Sequence, residues 1–124
     1  MSEEVARYAY VDPETGELLA YKVRYEPKSF EWFAADSDQP GGVVERDLPL
    51  YGVHKLPKNL HKAVFFVEGE KAADALRKKM HIPAVCLPGG AGTRPTTRQL
   101  LPLKGRTVVL WPDKDSPGRA LMRR

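Results

Sequence analysis

Two groups of carboxylates in the second half of the sequence each follow an apolar run directly. Their members are Glu68, Glu70 and Asp74 in the first group and Asp113 and Asp115 in the second. Carboxylates held close together repel one another unless a cation neutralises them. A small set of oxygen ligands that leaves room for water and phosphate suits Mg²⁺ or Mn²⁺ better than zinc. These residues therefore predict a site for Mg²⁺ or Mn²⁺ with room for water and phosphate oxygens, provided that the two groups lie close together.

The elements that must position these carboxylates follow a β-α-β-α-β-α order. The run 63–67 is continuous and apolar, which is typical of a strand buried on both faces of a parallel sheet. A helix over 70–80 and strands over 84–87 and 107–111 are predicted next. The carboxyl ends of parallel strands lie at one edge of a sheet. Both acidic groups are expected to meet there if the first and third strands are neighbours.

Local signals predict the remaining parts of this second half. Thr96 or Thr97 can cap a short helix that Pro102 ends. A last helix is predicted over 116–124, because its first residues pair an N-cap serine with a proline at the first helical position. The glycine-rich segment 88–92 follows a strand, where it fits a phosphate-facing loop and an ordinary turn about equally well.

The first half of the chain is predicted to be β-rich. Strands at 8–11 and 18–25 flank a turn and form a hairpin, and aromatic residues favour another short strand at 30–33. The segment 36–42 is typical of an exposed, mobile loop, and 48–60 is predicted to be a connector.

Charge divides the chain at residue 62. Residues 1–62 hold 8 basic and 11 acidic side chains, a net charge of −3, whereas residues 63–124 hold 12 and 5, a net charge of +7. A basic surface around an acidic site favours a polyanion such as nucleic acid. We therefore divide the chain into an N-terminal β-rich segment, 1–62, and a core, 63–124, that carries the candidate site.

Composition excludes several classes of protein. With 124 residues, 42% of them hydrophobic, the chain can build one modest domain. Its longest apolar run, 63–67, is far shorter than the roughly 20 residues of a membrane span, and its acidic start is unlike a secretory signal. The single cysteine, Cys86, excludes an internal disulfide and a multi-cysteine zinc ribbon. These features predict a cytoplasmic protein, and Cys86 is expected to be a buried, inert thiol.

The two acidic motifs resemble the signatures of the Toprim domain. The residues that carry this resemblance are Val67-Glu68-Gly69-Glu70-Lys71 and Asp113-Lys114-Asp115-Ser116-Pro117-Gly118. Toprim domains occur in bacterial-type primases, type IA and type II topoisomerases, certain nucleases and recombination mediators. The segments 7–12, 25–30 and 87–92 are also similar to primases and primase-helicases of phages and mobile elements. The resemblance implies a Rossmann-like α/β fold with a parallel sheet. Compared with that family, this sequence is expected to lack the usual fourth strand, the zinc module and the helicase domain.

Site roles follow from that resemblance. It implies that Glu68 is a general acid/base or metal-associated group and that Asp113 and Asp115 hold Mg²⁺ or Mn²⁺. Glu70 is either a further metal-associated group or an acid that complements the helix dipole. Nucleic-acid or phosphate contacts are expected from a larger set: Lys71, Gly89, Gly90, Arg94, Arg98, Lys114 and Arg119.

The implied activity is Mg²⁺-dependent primer synthesis in DNA replication. The expected partners are a single-stranded DNA template, nucleoside triphosphates and a replicative helicase. A nuclease is the nearest alternative, because the same metal ligands can direct water in place of a 3′-hydroxyl. A non-catalytic domain that binds DNA or a protein partner is the third.

Overall fold

The computed structural model describes residues 3–90 and 93–111 and contains two three-stranded sheets. Asp113, Lys114, Asp115, Arg119 and the predicted helix over 116–124 lie outside the described residues.

The first sheet is antiparallel and consists of β1 (Glu3–Val11), β2 (Leu18–Glu26) and β3 (Ser29–Ala34) in that order. The predicted hairpin and third strand are therefore confirmed, although β1 begins earlier than expected. Asp12 holds the hairpin turn, because its Oδ1 accepts hydrogen bonds from the backbone N–H groups of Glu14 and Thr15 at 2.8 and 3.1 Å. The segment expected to be a mobile loop is anchored, since the Gly41 N–H donates to the Trp32 carbonyl at 2.8 Å.

The second sheet is parallel and confirms the predicted α/β class. It consists of β4 (Val64–Val67), β5 (Ala84–Cys86) and β6 (Val108–Leu110), in the spatial order β5-β4-β6. Helix α1 (Glu70–Met80) joins β4 to β5 with the predicted bounds. Its buried Ala73 and half-buried Ala72 and Leu76 pack on the core, because these three positions fall on one helical face.

The short helix α2 (Thr97–Leu100) begins at a capping box. The Thr96 side chain accepts from the Gln99 N–H at 3.0 Å, and the Gln99 side chain accepts from the Thr96 N–H at 2.9 Å. The α-helix ends at Leu100, before Pro102 as predicted, and a 3₁₀ turn over Leu101–Leu103 then includes the proline. Proline is tolerated there because the first turn of a helix does not need its N–H.

The predicted connector is part of the core. It contains a 3₁₀ turn at Val53–Lys55, and another 3₁₀ turn at Glu45–Asp47 directly precedes it. Leu50, between the two turns, is 1% exposed. Tyr51 forms an antiparallel bridge to β5, in which its N–H donates to the Cys86 carbonyl at 2.9 Å. The connector therefore covers the outer edge of β5.

One hydrophobic cluster joins the two sheets. Tyr8, Tyr10 and Ala20 of the first sheet lie in the same cluster as Ala73 and the buried Cys86. Burial raises the pKa of the Cys86 thiol well above its usual value, in agreement with the predicted inert cysteine. Within the described ranges, no helix is long and apolar enough to cross a membrane.

Candidate functional site

Glu68 lies at the carboxyl edge of the parallel sheet, directly after its central strand β4. Its side chain is largely buried, because the residue is only 9% exposed. The strand β6 pairs with β4, and the Trp111 N–H donates to the Phe66 carbonyl at 2.9 Å. These strands are therefore neighbours, which is the condition that the sequence-based prediction set, and the chain leaves β6 at the edge that carries Glu68. The prediction that Asp113 and Asp115 join it concerns residues outside the described part.

Glu70 is the first residue of α1, and its carboxylate is held by the N-terminal sheet. Its Oε2 accepts hydrogen bonds from the Tyr10 hydroxyl at 2.7 Å and the Lys22 ammonium at 3.1 Å. Burial raises the pKa of Tyr10, so its hydroxyl stays protonated and donates to the carboxylate. At the start of α1, the Glu70 charge also complements the helix dipole.

Lys22 ties three parts of the fold together. Besides Glu70, its ammonium donates to the Pro88 carbonyl at 2.9 Å, and its side chain is only 10% exposed. It therefore links β2, the start of α1 and the glycine-rich loop after β5. Sequence reasoning missed this residue, because its acidic partner lies 48 positions away. A lysine in a strand of alternating aromatic and charged residues is ordinarily interpreted as solvent-facing.

The glycine-rich loop packs beside Glu68. Gly90 has φ +78°, and a Cβ built there would lie 3.8 Å from the Glu68 carbonyl oxygen. A Cβ at Gly89 would come within 2.5 Å of the Thr93 methyl group. The positive φ favours glycine at position 90, and a side chain at position 89 would force the Thr93 side chain to shift. The structure therefore brings the predicted loop residues Gly89 and Gly90 to the same edge as Glu68.

The predicted basic contacts that the structure describes are all exposed. Lys71 is the second residue of α1, Arg94 follows the glycine-rich loop and Arg98 lies in α2. Exposed basic side chains can reach a polyanion, and the role of these three residues in binding one stays a prediction.

Asp74, the third carboxylate of its group, has a structural environment. Its Oδ1 accepts from the Tyr51 hydroxyl at 2.7 Å and also contacts the Arg77 guanidinium. Burial, followed by the bond to Asp74, raises the pKa of Tyr51 above its usual value. Asp74 therefore fastens α1 to the connector.

The described carboxylates do not form a metal site by themselves. Over residues 3–90 and 93–111, no group of three or more acidic, histidine or cysteine side chains is close enough to hold a metal ion. Glu68 and Glu70 have the oxygen chemistry that Mg²⁺ prefers, but Oε2 of Glu70 already accepts two hydrogen bonds. The predicted metal set therefore depends on Asp113 and Asp115.

Comparisons with known proteins identify a family and a fold. Residues 7–114 match a family described as a domain of unknown function, DUF6371. No curated protein matches the sequence. The fold is similar to the primase fragment of the bacteriophage T7 primase-helicase, with a TM-score of 0.72 and 21% identity over 94% of this chain and 46% of that chain.

A second solved structure also contains a chain with a similar fold. It contains the bacteriophage T7 lagging-strand DNA polymerase interacting with primase domains of two gp4 subunits bound to an RNA/DNA hybrid and dTTP. The matching chain has a TM-score of 0.73 and 23% identity over 94% of this chain and 56% of that chain. This chain thus spans about half the length of the solved chains it matches. The described residues share the primase fold.

Proposed function

The chain belongs to the DUF6371 family, and from its primase-like fold we propose that it is a Mg²⁺-dependent nucleotidyl-transfer domain acting on nucleic acid. The observation that carries this proposal is the position of Glu68, buried at the carboxyl edge of the central parallel strand beside a glycine-rich loop. Ligands of open parallel sheets bind at this edge. The adjoining strand β6 leads from the same edge toward Asp113 and Asp115.

The proposed reaction is primer synthesis in DNA replication, of the kind carried out by phage-type and mobile-element primases. Its substrates are a single-stranded DNA template and nucleoside triphosphates, and a replicative helicase is the proposed partner. The resemblance of both acidic motifs to Toprim signatures supports this choice, as does the fold shared with a primase fragment.

Each carboxylate has a proposed role. Asp113 and Asp115 would hold Mg²⁺ or Mn²⁺, which when bound neutralises charge that develops on phosphate oxygens. Glu68 would take the proton from the attacking hydroxyl, a task that fits a carboxylate shielded from bulk water. Glu70 can contribute to the metal site only through its second oxygen or a water molecule, because Oε2 is held by Tyr10 and Lys22.

Metal titration tests the site before any activity is assayed. We expect Mn²⁺ and Mg²⁺ to bind the wild type in calorimetry and to raise its melting temperature. Glu68→Gln, Asp113→Asn and Asp115→Asn should each weaken binding, because each removes a carboxylate charge. Glu17→Gln removes an equivalent charge from the exposed hairpin and serves as the control. Metal binding that is unchanged in all three site variants would contradict the proposal.

Activity assays then separate the candidate reactions. In the longest natural form of the protein, Asp113→Asn should abolish metal-dependent primer synthesis on single-stranded DNA. Nicking of labelled DNA with Mn²⁺ and no nucleotides would favour a nuclease. Saturable DNA binding without either reaction would identify a non-catalytic domain.

A further inference from the structure

A cavity of about 270 Å³ opens beside the glycine-rich loop. It is lined by the loop after β5, including Pro88 and Gly89, and by the 3₁₀ turn that contains Arg46. Thr93 and Arg94 also line it. The cavity thus lies at the carboxyl end of β5, on the same sheet edge as Glu68.

Many acceptor groups around this cavity already have protein donors. The Pro88 carbonyl accepts from Lys22 at 2.9 Å, and the Leu87 carbonyl accepts from the Gly90 N–H at 3.2 Å. The acid Glu45 also lines the cavity. Its backbone carbonyl accepts a hydrogen bond from the Leu48 N–H, and its Oε2 accepts one from the Trp32 indole N–H at 3.1 Å. These contacts reduce the capacity of the walls to bind a cation or a hydrogen-bond donor.

The net charge of the cavity lining is positive, because it contains two arginines and one acid, Glu45. Arg46 and Arg94 line the cavity from different segments, and both are exposed. Among the ion pairs of the described residues, none involves either guanidinium. Two unneutralised guanidinium groups facing one cavity favour an anion, and their planar donors match the oxygens of a phosphate group.

We propose that Arg46 and Arg94, which line the same cavity from different segments, form a binding site for a phosphate group of the substrate. A volume of about 270 Å³ lies just below the ~300–1,000 Å³ of pockets that enclose a whole small ligand. The cavity therefore suits a phosphate or oligophosphate group whose nucleoside remains outside. This inference rests on the proposed function only for the source of that group, either the tail of a nucleoside triphosphate or the backbone of a nucleic acid.

The test is calorimetric binding of three probes to the full chain. Tripolyphosphate reports the anion site itself, ATP reports a nucleotide tail, and a dT oligonucleotide without terminal phosphates reports a phosphodiester backbone. We expect Arg46→Ala and Arg94→Ala each to weaken tripolyphosphate binding about tenfold, the loss expected for one charge-assisted contact. Both side chains are exposed, so thermal melting should show that the variants remain folded.

Lys79→Ala is the matched control, because it removes one exposed cation near the far end of α1. An equal loss in Lys79→Ala would show only general charge attraction and would overturn the proposal. Absent tripolyphosphate binding, or binding that survives both arginine changes, would also overturn it. Selective loss of ATP or of oligonucleotide binding then identifies the source of the phosphate. Failure here with an intact metal site would leave the proposed function standing, because the metal titration does not depend on either arginine.

Discussion

At the scale of single residues, the buried contact between Lys22 and Glu70 is the feature that most constrains the candidate site. The side chains of these residues are 10% and 6% exposed, and the hydroxyl of Tyr10 completes the contact. An ion pair removed from water is not strongly stabilising by itself, but breaking it leaves one buried charge uncompensated. The contact therefore fixes the register between the N-terminal sheet and the start of α1.

We predict that Lys22→Met lowers the free energy of unfolding by about 3–5 kcal/mol, the usual cost of removing one partner of a buried pair. The double variant Lys22→Met/Glu70→Gln should lose less than the sum of the two single variants, because it leaves no unpaired charge. Urea denaturation of all four proteins measures both quantities. The exposed pair of Arg7 and Glu4 supplies the control, and Arg7→Met should change stability little. Additive losses at Lys22 and Glu70 would show that the two charges are not coupled.

Residue-level prediction from the sequence succeeded where the signal was local. Glu68 could be placed because it directly follows an apolar run, and Gly90 because glycine tolerates a positive φ. Lys22 and Arg46 could not be placed. Lys22 contacts segments tens of residues away, and Arg46 lines a cavity together with such a segment, which no local pattern encodes.

At the scale of secondary-structure elements, α2 depends on its N-terminal cap. This helix has only four residues, too few to be stable by propensity alone. Its Gln99 side chain also donates to the Leu48 carbonyl at 2.9 Å and thereby attaches the helix to the connector.

We predict that Thr96→Ala destabilises the protein by about 1 kcal/mol, the typical cost of losing an N-cap side chain. Thr97→Ala is the matched control, because Thr97 is exposed and accepts no capping hydrogen bond among the described contacts. Thermal or urea unfolding measures the difference. Equal stability of the two variants would mean that the capping box contributes nothing.

The bounds of a helix could be predicted from the sequence only where residues that favour a helix are followed by a residue that ends it. The bounds of α1 could be predicted from helix-forming residues followed by Pro83, whereas the 3₁₀ turn that includes Pro102 could not, because proline both ends an α-helix and fits a 3₁₀ turn. The sequence did not predict that β4 and β6 are neighbours, and the meeting of the two acidic groups was predicted only on that condition. Short strands do not specify their neighbours until helices and connectors pack against them.

At the scale of the whole molecule, the hydrophobic cluster shared by both sheets predicts that the two sheets unfold together in one cooperative transition. Trp32 lies in β3, and Trp111 contacts Phe65 of β4 with ring centroids 5.7 Å apart. We predict that the variants Trp32→Phe and Trp111→Phe, which leave one tryptophan each, show coincident urea transitions by fluorescence and circular dichroism. Two separated transitions would show that the sheets unfold independently.

The shared cluster also determines how the N-terminal segment should be studied. Removing 1–62 would expose Val67 and Ala73, which pack against Tyr10 and Ala20. A loss of nucleic-acid binding after such a deletion would reflect damage to the core. Point substitutions on the exposed surface of the first sheet are the more informative test of its role.

The connector covers β5 and thereby limits where a further strand can be added to the parallel sheet. The bridge between Tyr51 and Cys86 occupies the outer edge of β5, while α1 packs against β4 and β5. In the described part of the chain, β6 pairs only with β4. A further strand, from this polypeptide or from another molecule, can therefore join the sheet only alongside β6. The edge that can accept a further strand is therefore formed by β6, the neighbour of the strand that Glu68 follows.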